Sequence, residues 1–230
     1  RACGQLGDLA ADLGADAAQR AFRLLDFAEN LRALQVGRAC GRLRAERVFD
    51  YDVLARDLTA AGLVIVSGLA RGVDAAAHQG AVAASGPTVA VLGSGLDRLY
   101  PPEHAALARQ IVKAGGGLIS ELPPGAPPRK DHFPRRNRVI SGLARGLIVV
   151  EASHRSGSLI TARLALDQGR EVMAVPGCVL GERHRGVHAL IRDGAPLVEC
   201  ASDVLAVLGL AEGEAPAGAG PAGARRAPPD

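Results

Sequence analysis

The strongest constraint on this chain is a series of short, wholly apolar runs, each ending at glycine, serine, proline or a charged residue. Leu63-Val64-Ile65-Val66 ends at Ser67-Gly68, Thr88–Leu92 at Gly93-Ser94-Gly95, and Gly117-Leu118-Ile119 at Ser120-Glu121. Leu147–Val150 ends at Glu151-Ala152 and Val172–Val175 at Pro176-Gly177, with Leu197-Val198 a candidate edge strand. Runs of strand length without polar alternation are buried on both faces, as in parallel sheets covered by helices. Between them, apolar spacing predicts helices at about 74–84, 103–114, 158–168 and 202–208. The fold class is therefore α/β: a doubly wound, mostly parallel sheet with helices on both faces. Ligands on such sheets bind beyond the carboxyl ends of the strands.

Composition narrows the class further. Apolar residues make up 48%, enough for a core, yet no run approaches the roughly 18 residues of a membrane span. A soluble protein is expected. Aromatics are only 3%, with no Trp, so the core must be built from Ala, Val, Leu and Ile. The net charge of +3 is no nucleic-acid signature by itself. Cys3, Cys40, Cys178 and Cys200 lack paired spacing, which argues against a zinc site or a disulfide scaffold. The first thirty residues carry charges throughout and no apolar core of a secretory signal, so a cytoplasmic location is expected.

Three segments are distinguished. Residues 1–48 are divergent and partly helical, with helical spacing from Asp16 to Leu34 and no clear period over 37–47, and are the candidate source of a degraded first strand. Residues 49–208 form the α/β domain, and 209–230 read as an Ala/Gly/Pro-rich flexible tail. The chain starts at Arg1, which reads as a fragment, and a linker usually joins something further.

Four strand ends carry the chemistry. In Ser67-Gly68-Leu69-Ala70-Arg71-Gly72-Val73-Asp74, small residues let the backbone approach a ligand, and Arg71 offers a bidentate phosphate contact. An ordinary strand-to-helix turn capped by Asp74 accounts for this segment about as well, and His78 reads as a structural hydrogen-bonder. The turn Gly93-Ser94-Gly95-Leu96-Asp97-Arg98 begins like a dinucleotide fingerprint but has Arg98 where the third Gly belongs. No phosphate-binding loop of the Gly-Lys-Ser/Thr kind follows any strand. The stretch from Arg129 to Arg138 holds five cations (Arg129, Lys130, Arg135, Arg136, Arg138) against Asp131, a local charge of 5 − 1 = +4, around Phe133. Cations tracking phosphates beside a ring that stacks a base is what single-stranded nucleic acid requires. The competing account is a solvated loop whose Arg136 and Arg138 pair with carboxylates such as Glu121 or Glu151. Finally, Ser156-Gly157-Ser158 opens a helix, where the serines either meet a phosphate or cap the helix. His184 and His188 stand four apart in what reads as a Gly- and Arg-rich loop, and no metal site or catalytic constellation emerges.

Taken in order, these segments resemble the DprA/Smf family of DNA-processing proteins. The resemblance rests on the Ser67–Asp74 segment with His78, the Gly93–Pro101 turn, Ser120-Glu121, Phe133-Pro134-x-Arg136-Asn137-Arg138, Val150-Glu151-Ala152 and Ser156–Ala162. Val175-Pro176-Gly177 and Leu190-Ile191-x-Asp193-Gly194-Ala195 complete it, from about Tyr51 to Leu208. It implies an extended Rossmann-like domain, without known catalysis or cofactor. Such a domain binds single-stranded DNA, protects incoming DNA during natural transformation and loads a RecA-type recombinase as a homodimer. The positions matching the family's DNA pocket are Arg71, Lys130, Phe133, Arg136 and Arg138, with Ser156, Gly157 and Ser158 near the phosphates; Ser67, Gly68, Gly72 and Asn137 belong to the same motifs. Two departures stand out. The family's first strand ends in Gly-Ser-Arg, where this chain has Leu34-Gln35-Val36-Gly37-Arg38, so Arg38 is either a degenerate counterpart of that Arg or part of a scrambled segment. His188 replaces the family's usual Asn, and no winged-helix module is seen after the linker. The rival reading is a nucleotide hydrolase of the phosphoribohydrolase type, but Pro176-Gly177-Cys178-Val179 lacks that family's Pro-Gly-Gly-x-Gly-Thr segment.

Overall fold

The computed structural model describes residues 33–36, 51–154, 156–179 and 182–210. Six strands form one sheet: β1 (Ala33–Val36), β2 (Val64–Ser67), β3 (Thr88–Leu92), β4 (Gly117–Ser120), β5 (Gly146–Val149) and β6 (Glu171–Ala174). The order is β4-β3-β2-β1-β5-β6, and every pairing is parallel. Leu197 adds only an isolated bridge to Ala174. The helices are α1 (Tyr51–Ala60), α2 (Val73–Ala83), α3 (Ala105–Lys113), α4 (His132–Leu143), α5 (Gly157–Asp167), α6 (Arg185–Arg192) and α7 (Ala201–Val207).

The apolar runs become strands because both of their faces are covered. Ile65, Ile148 and Met173 point to one face, where Leu58, Ala77, Val204 and Leu205 of α1, α2 and α7 pack on them. Ala90 and Leu92 face the same way, against Leu107 and Ile111 of α3. Val66, Val89 and Val91 face Ile140 of α4, and Leu147, Val149 and Val172 face Ala162 and Ala165 of α5 and Val187 of α6. This is the doubly wound arrangement the pattern predicts. With so few aromatics, close approach of Ala-lined helices replaces large rings in filling the core.

Some segments depart from expectation. The helical spacing of Asp16–Leu34 runs into β1, where Ala33 and Leu34 are extended. Strand β1 lies between β2 and β5, pairing Leu34 with Ile65 on one side and with Gly146 on the other. Satisfying the backbone on both edges outweighs a local helical pattern. Residues 1–32 and 37–50, including Arg38, and residues 211–230 lie outside the described residues. The basic stretch at 129–138 is not a loop: α4 begins at His132. Pro134 fits there because N–H groups in the first helical turn have no intrahelical acceptor. His184 closes a short 3-10 turn (Glu182–His184) and His188 stands on α6, where a loop was expected. His188 Nε2 lies 3.1 Å from the Gly177 carbonyl.

The strand order reverses between β1 and β5, and ligand crevices open at such switch points, outside the carboxyl strand ends. Among the described residues, no helix is long and apolar enough to cross a membrane, and no group of three or more His, Cys, Asp or Glu could hold a metal ion.

Candidate nucleic-acid interface

A pocket at the carboxyl ends of the strands is lined by Phe133, Arg136 and Asn137 of α4 and by Gly157, Ser158 and Thr161 of α5, with Asp74 from the start of α2. Five of these seven residues are among those expected from sequence. The basic segment does not act as one charged surface, however. Arg129 pairs with Asp131 at 3.1 Å, and Arg138 pairs through Nη2 with Glu121 Oε1. The Arg129 side chain and Asp131's own backbone amide hold the Asp131 carboxyl below its ordinary range, the backbone amide being the larger cause. Lys130 and Arg135 are exposed and form no ion pair among the described residues.

Arg136 is only 8% exposed. Its Nη1 donates to the carbonyl of Gly68 at 2.8 Å and to the carbonyl of Val91. The guanidinium thus bridges the carboxyl ends of β2 and β3. Gly68 is required by that bridge, since a Cβ there would lie 2.5 Å from the guanidinium carbon. Arg136 Nε donates to Asn137 Oδ1 at 3.1 Å, Asn137 Nδ2 donates to Thr161 Oγ1 at 2.9 Å, and Thr161 Oγ1 donates to the Gly157 carbonyl at 3.1 Å. This relay fixes α4 against the first turn of α5. The Gly68 and Val91 carbonyls receive the Nη1 hydrogen bonds, and Arg138 meets Glu121, one of the carboxylates considered from sequence.

Phe133 is half-buried at the pocket, and Gly93 leaves space for it: a Cβ at Gly93 would fall 2.8 Å from Phe133 Cδ1. Ser156 holds the N-cap position of α5, but its hydroxyl makes no capping hydrogen bond and is buried without a partner among the described residues. Gly157 is exposed and Ser158 is buried. Ser67 is buried at the end of β2, and the turn after it places Leu69 and Gly72 at positive φ, 55° and 87°. Asp74 Oδ2 accepts the Ala70 N–H at 3.1 Å within this turn. Arg71 projects into solvent and pairs with Glu103. That hydrogen bond is the main reason the Glu103 carboxyl sits below its ordinary range.

Behind the turn, His78 is fully buried. The Thr88 hydroxyl donates to the Ile65 carbonyl at 2.7 Å, so at 2.7 Å from His78 Nδ1 it must accept. His78 is therefore the neutral Nδ1–H tautomer. Burial, with Arg136 and His104 adding like charge, pushes its pKa down to about 3. It is a structural hydrogen-bonder, as expected.

The profile of the DNA recombination-mediator protein A family matches residues 45–209. The chain belongs to that family. It is 51% identical over 148 residues to Protein Smf of Escherichia coli, covering 64% of this chain and 40% of that protein. The X-ray structure of DNA processing protein A from Streptococcus pneumoniae superposes with a TM-score of 0.68 at 42% identity, covering 78% of this chain and 62% of that one. A Helicobacter pylori DNA processing protein A structure, described as giving insight into its single-stranded DNA binding mode, superposes with a TM-score of 0.65 at 25% identity, covering 80% and 82%. The chain thus spans less than half the length of the Escherichia coli relative.

Within this family fold, residues beyond those singled out from sequence enter the site. Asp74 and Thr161 line the pocket, and Tyr100 meets Phe133 with ring centroids 5.8 Å apart. Tyr100 lies in a recognised motif, and its rarity as a ring was a usable signal. Its position against Phe133 depends on where the turn after β3 meets α4, which no local pattern encodes.

Proposed function

We propose that this domain binds single-stranded DNA and is a binding module rather than an enzyme. Phe133 carries the reading: a half-buried ring at a switch-point crevice, with the exposed cation Lys130 three residues before it. A ring stacks any base presented to it and cations follow the phosphates, whereas duplex bases are already stacked. The buried Asp74 carboxylate in the pocket keeps phosphates at the rim, where Lys130, Arg135 and Arg71 are exposed. The Ser156 hydroxyl, without a partner among the described residues, and the exposed Gly157 at the start of α5 supply uncharged donors. The Helicobacter pylori relative, whose structure concerns its single-stranded DNA binding mode, supports the same ligand class.

Fluorescence anisotropy with labelled oligonucleotides across a salt series tests this. Binding should weaken steeply with salt, with Lys130→Ala reducing the log–log slope by about 0.7 if Lys130 meets one phosphate. Phe133→Ala should cost roughly 1–3 kcal/mol. A folded protein that binds no oligonucleotide at low salt overturns the reading, and free base released from nucleoside monophosphates would favour the hydrolase. In its finer form the proposal is a homodimer that protects incoming DNA and loads a RecA-type recombinase during transformation. The family's description as a recombination mediator supports this. Light scattering should report the dimer, and the lag before recombinase ATPase activity on oligonucleotide should shorten when the protein is added.

A further inference from the structure

Four side chains stand in one row across the crevice: Arg136, Phe133, Tyr100 and Arg71. The Arg136 guanidinium carbon is 5.9 Å from the Phe133 centroid, the two ring centroids are 5.8 Å apart, and the Arg71 guanidinium carbon is 5.7 Å from the Tyr100 centroid. They come from α4, from the turn after β3 and from the turn after β2. The chain has only four Phe, two Tyr and no Trp, and two of these six rings meet here. Tyr100 remains 39% exposed although Leu99 and Pro101 on either side are buried. Its backbone is anchored and its ring is outside the core.

We propose that Tyr100 is a second base-stacking surface beside Phe133, so that the site takes two consecutive bases of a single strand. The inference rests on the single-stranded DNA reading above. The geometry excludes a base sandwiched between the two rings. That would need parallel planes about 7 Å apart, twice the ~3.4 Å stacking separation, whereas these rings are 5.8 Å apart and tilted by 46°. Each ring can therefore serve a different base, and the tilt turns one base relative to the next. The Arg71 guanidinium lies over the Tyr100 ring at 5.7 Å, within cation–π range, and a base takes that face by displacing this exposed side chain. Arg71 Nε is held by Glu103, and Nη1 lies 3.5 Å from the Tyr100 hydroxyl. Nη2 has no partner among the described residues and suits the phosphate next to the base on Tyr100.

The absence of Trp provides the test. Tyr51→Phe leaves Tyr100 as the sole intrinsic emitter. A short oligothymidylate is titrated into that variant while the anisotropy of a labelled copy is followed in parallel. Tyr100 emission should be quenched with the same midpoint at which anisotropy rises. Tyr100→Leu should weaken binding by roughly 5- to 150-fold, the range of one lost stacking contact, and Tyr100→Phe should restore most of it. Binding seen by anisotropy with unchanged Tyr100 emission, or Tyr100→Leu binding like the parent, overturns the second platform and leaves the role of Phe133 standing. No anisotropy change at low salt overturns both. If Tyr100→Leu fails to fold, the emission titration still decides.

Discussion

Replacing Arg136 by Met separates a structural guanidinium from the exposed cations around it. Met keeps an unbranched apolar stem and removes every donor. The carbonyls of Gly68 and Val91, both buried, then lose the Nη1 hydrogen bonds that join the ends of β2 and β3. An unpaired buried acceptor costs about 1–3 kcal/mol, so two cost about 2–6 kcal/mol. Part of this is recovered because folding no longer desolvates a guanidinium. A net loss of about 2–4 kcal/mol is expected. Urea denaturation followed by far-ultraviolet circular dichroism measures it, with Arg138→Met as control. Arg138 pairs with Glu121 in solvent, and such pairs contribute about 0–1 kcal/mol. An Arg136→Met unfolding free energy within about 0.5 kcal/mol of the parent would refute the bridging role, because the carbonyls would then be satisfied without the guanidinium.

Three further outcomes follow from the same geometry. Because the folded pKa of His78 lies below its unfolded value, the unfolded chain binds the extra proton between about pH 3 and 6.5. Stability should therefore fall as pH drops through 6.5, by about 1.4 kcal/mol between pH 7.5 and 5.5, and His78→Gln should lack that component; equal pH dependence in the two proteins would exclude it. Gly93→Ala brings a Cβ within 2.8 Å of Phe133 Cδ1 and should displace the half-buried ring. Oligonucleotide affinity should fall while stability drops by no more than about 1 kcal/mol, the lower end of overpacking costs. Glu121→Gln releases Arg138, so oligonucleotide binding should tighten and its salt dependence steepen by about 0.7 for one added phosphate contact; an unchanged slope would show that Arg138 does not reach the strand.

Most of the sheet was legible in the chain. Strands buried on both faces need uninterrupted apolar runs, and the turns after them need small residues, so β2 to β6 could be read to within one residue. Strand β1 was the hard one. Ala-Leu-Gln-Val is weakly apolar and follows a segment with helical spacing, and only pairing on both edges makes it the central strand. The start of α4 was hidden for another reason. Cations and a proline read as loop, yet a first turn accepts Pro, and Arg136 and Ile140, four apart, face inward.

By itself, the sequence determined the fold class, the family resemblance and the cluster of cations around Phe133, because these depend on order and spacing along the chain. The tertiary structure decided how each cation in that cluster is used. Arg136 became an internal bridge, Arg129 and Arg138 were paired with carboxylates, and Lys130 and Arg135 were left exposed. It also brought Tyr100 against Phe133, residues far apart in the chain. Charge can be summed along a sequence, but whether a charge is available depends on which carbonyl or carboxylate folding places within hydrogen-bond reach.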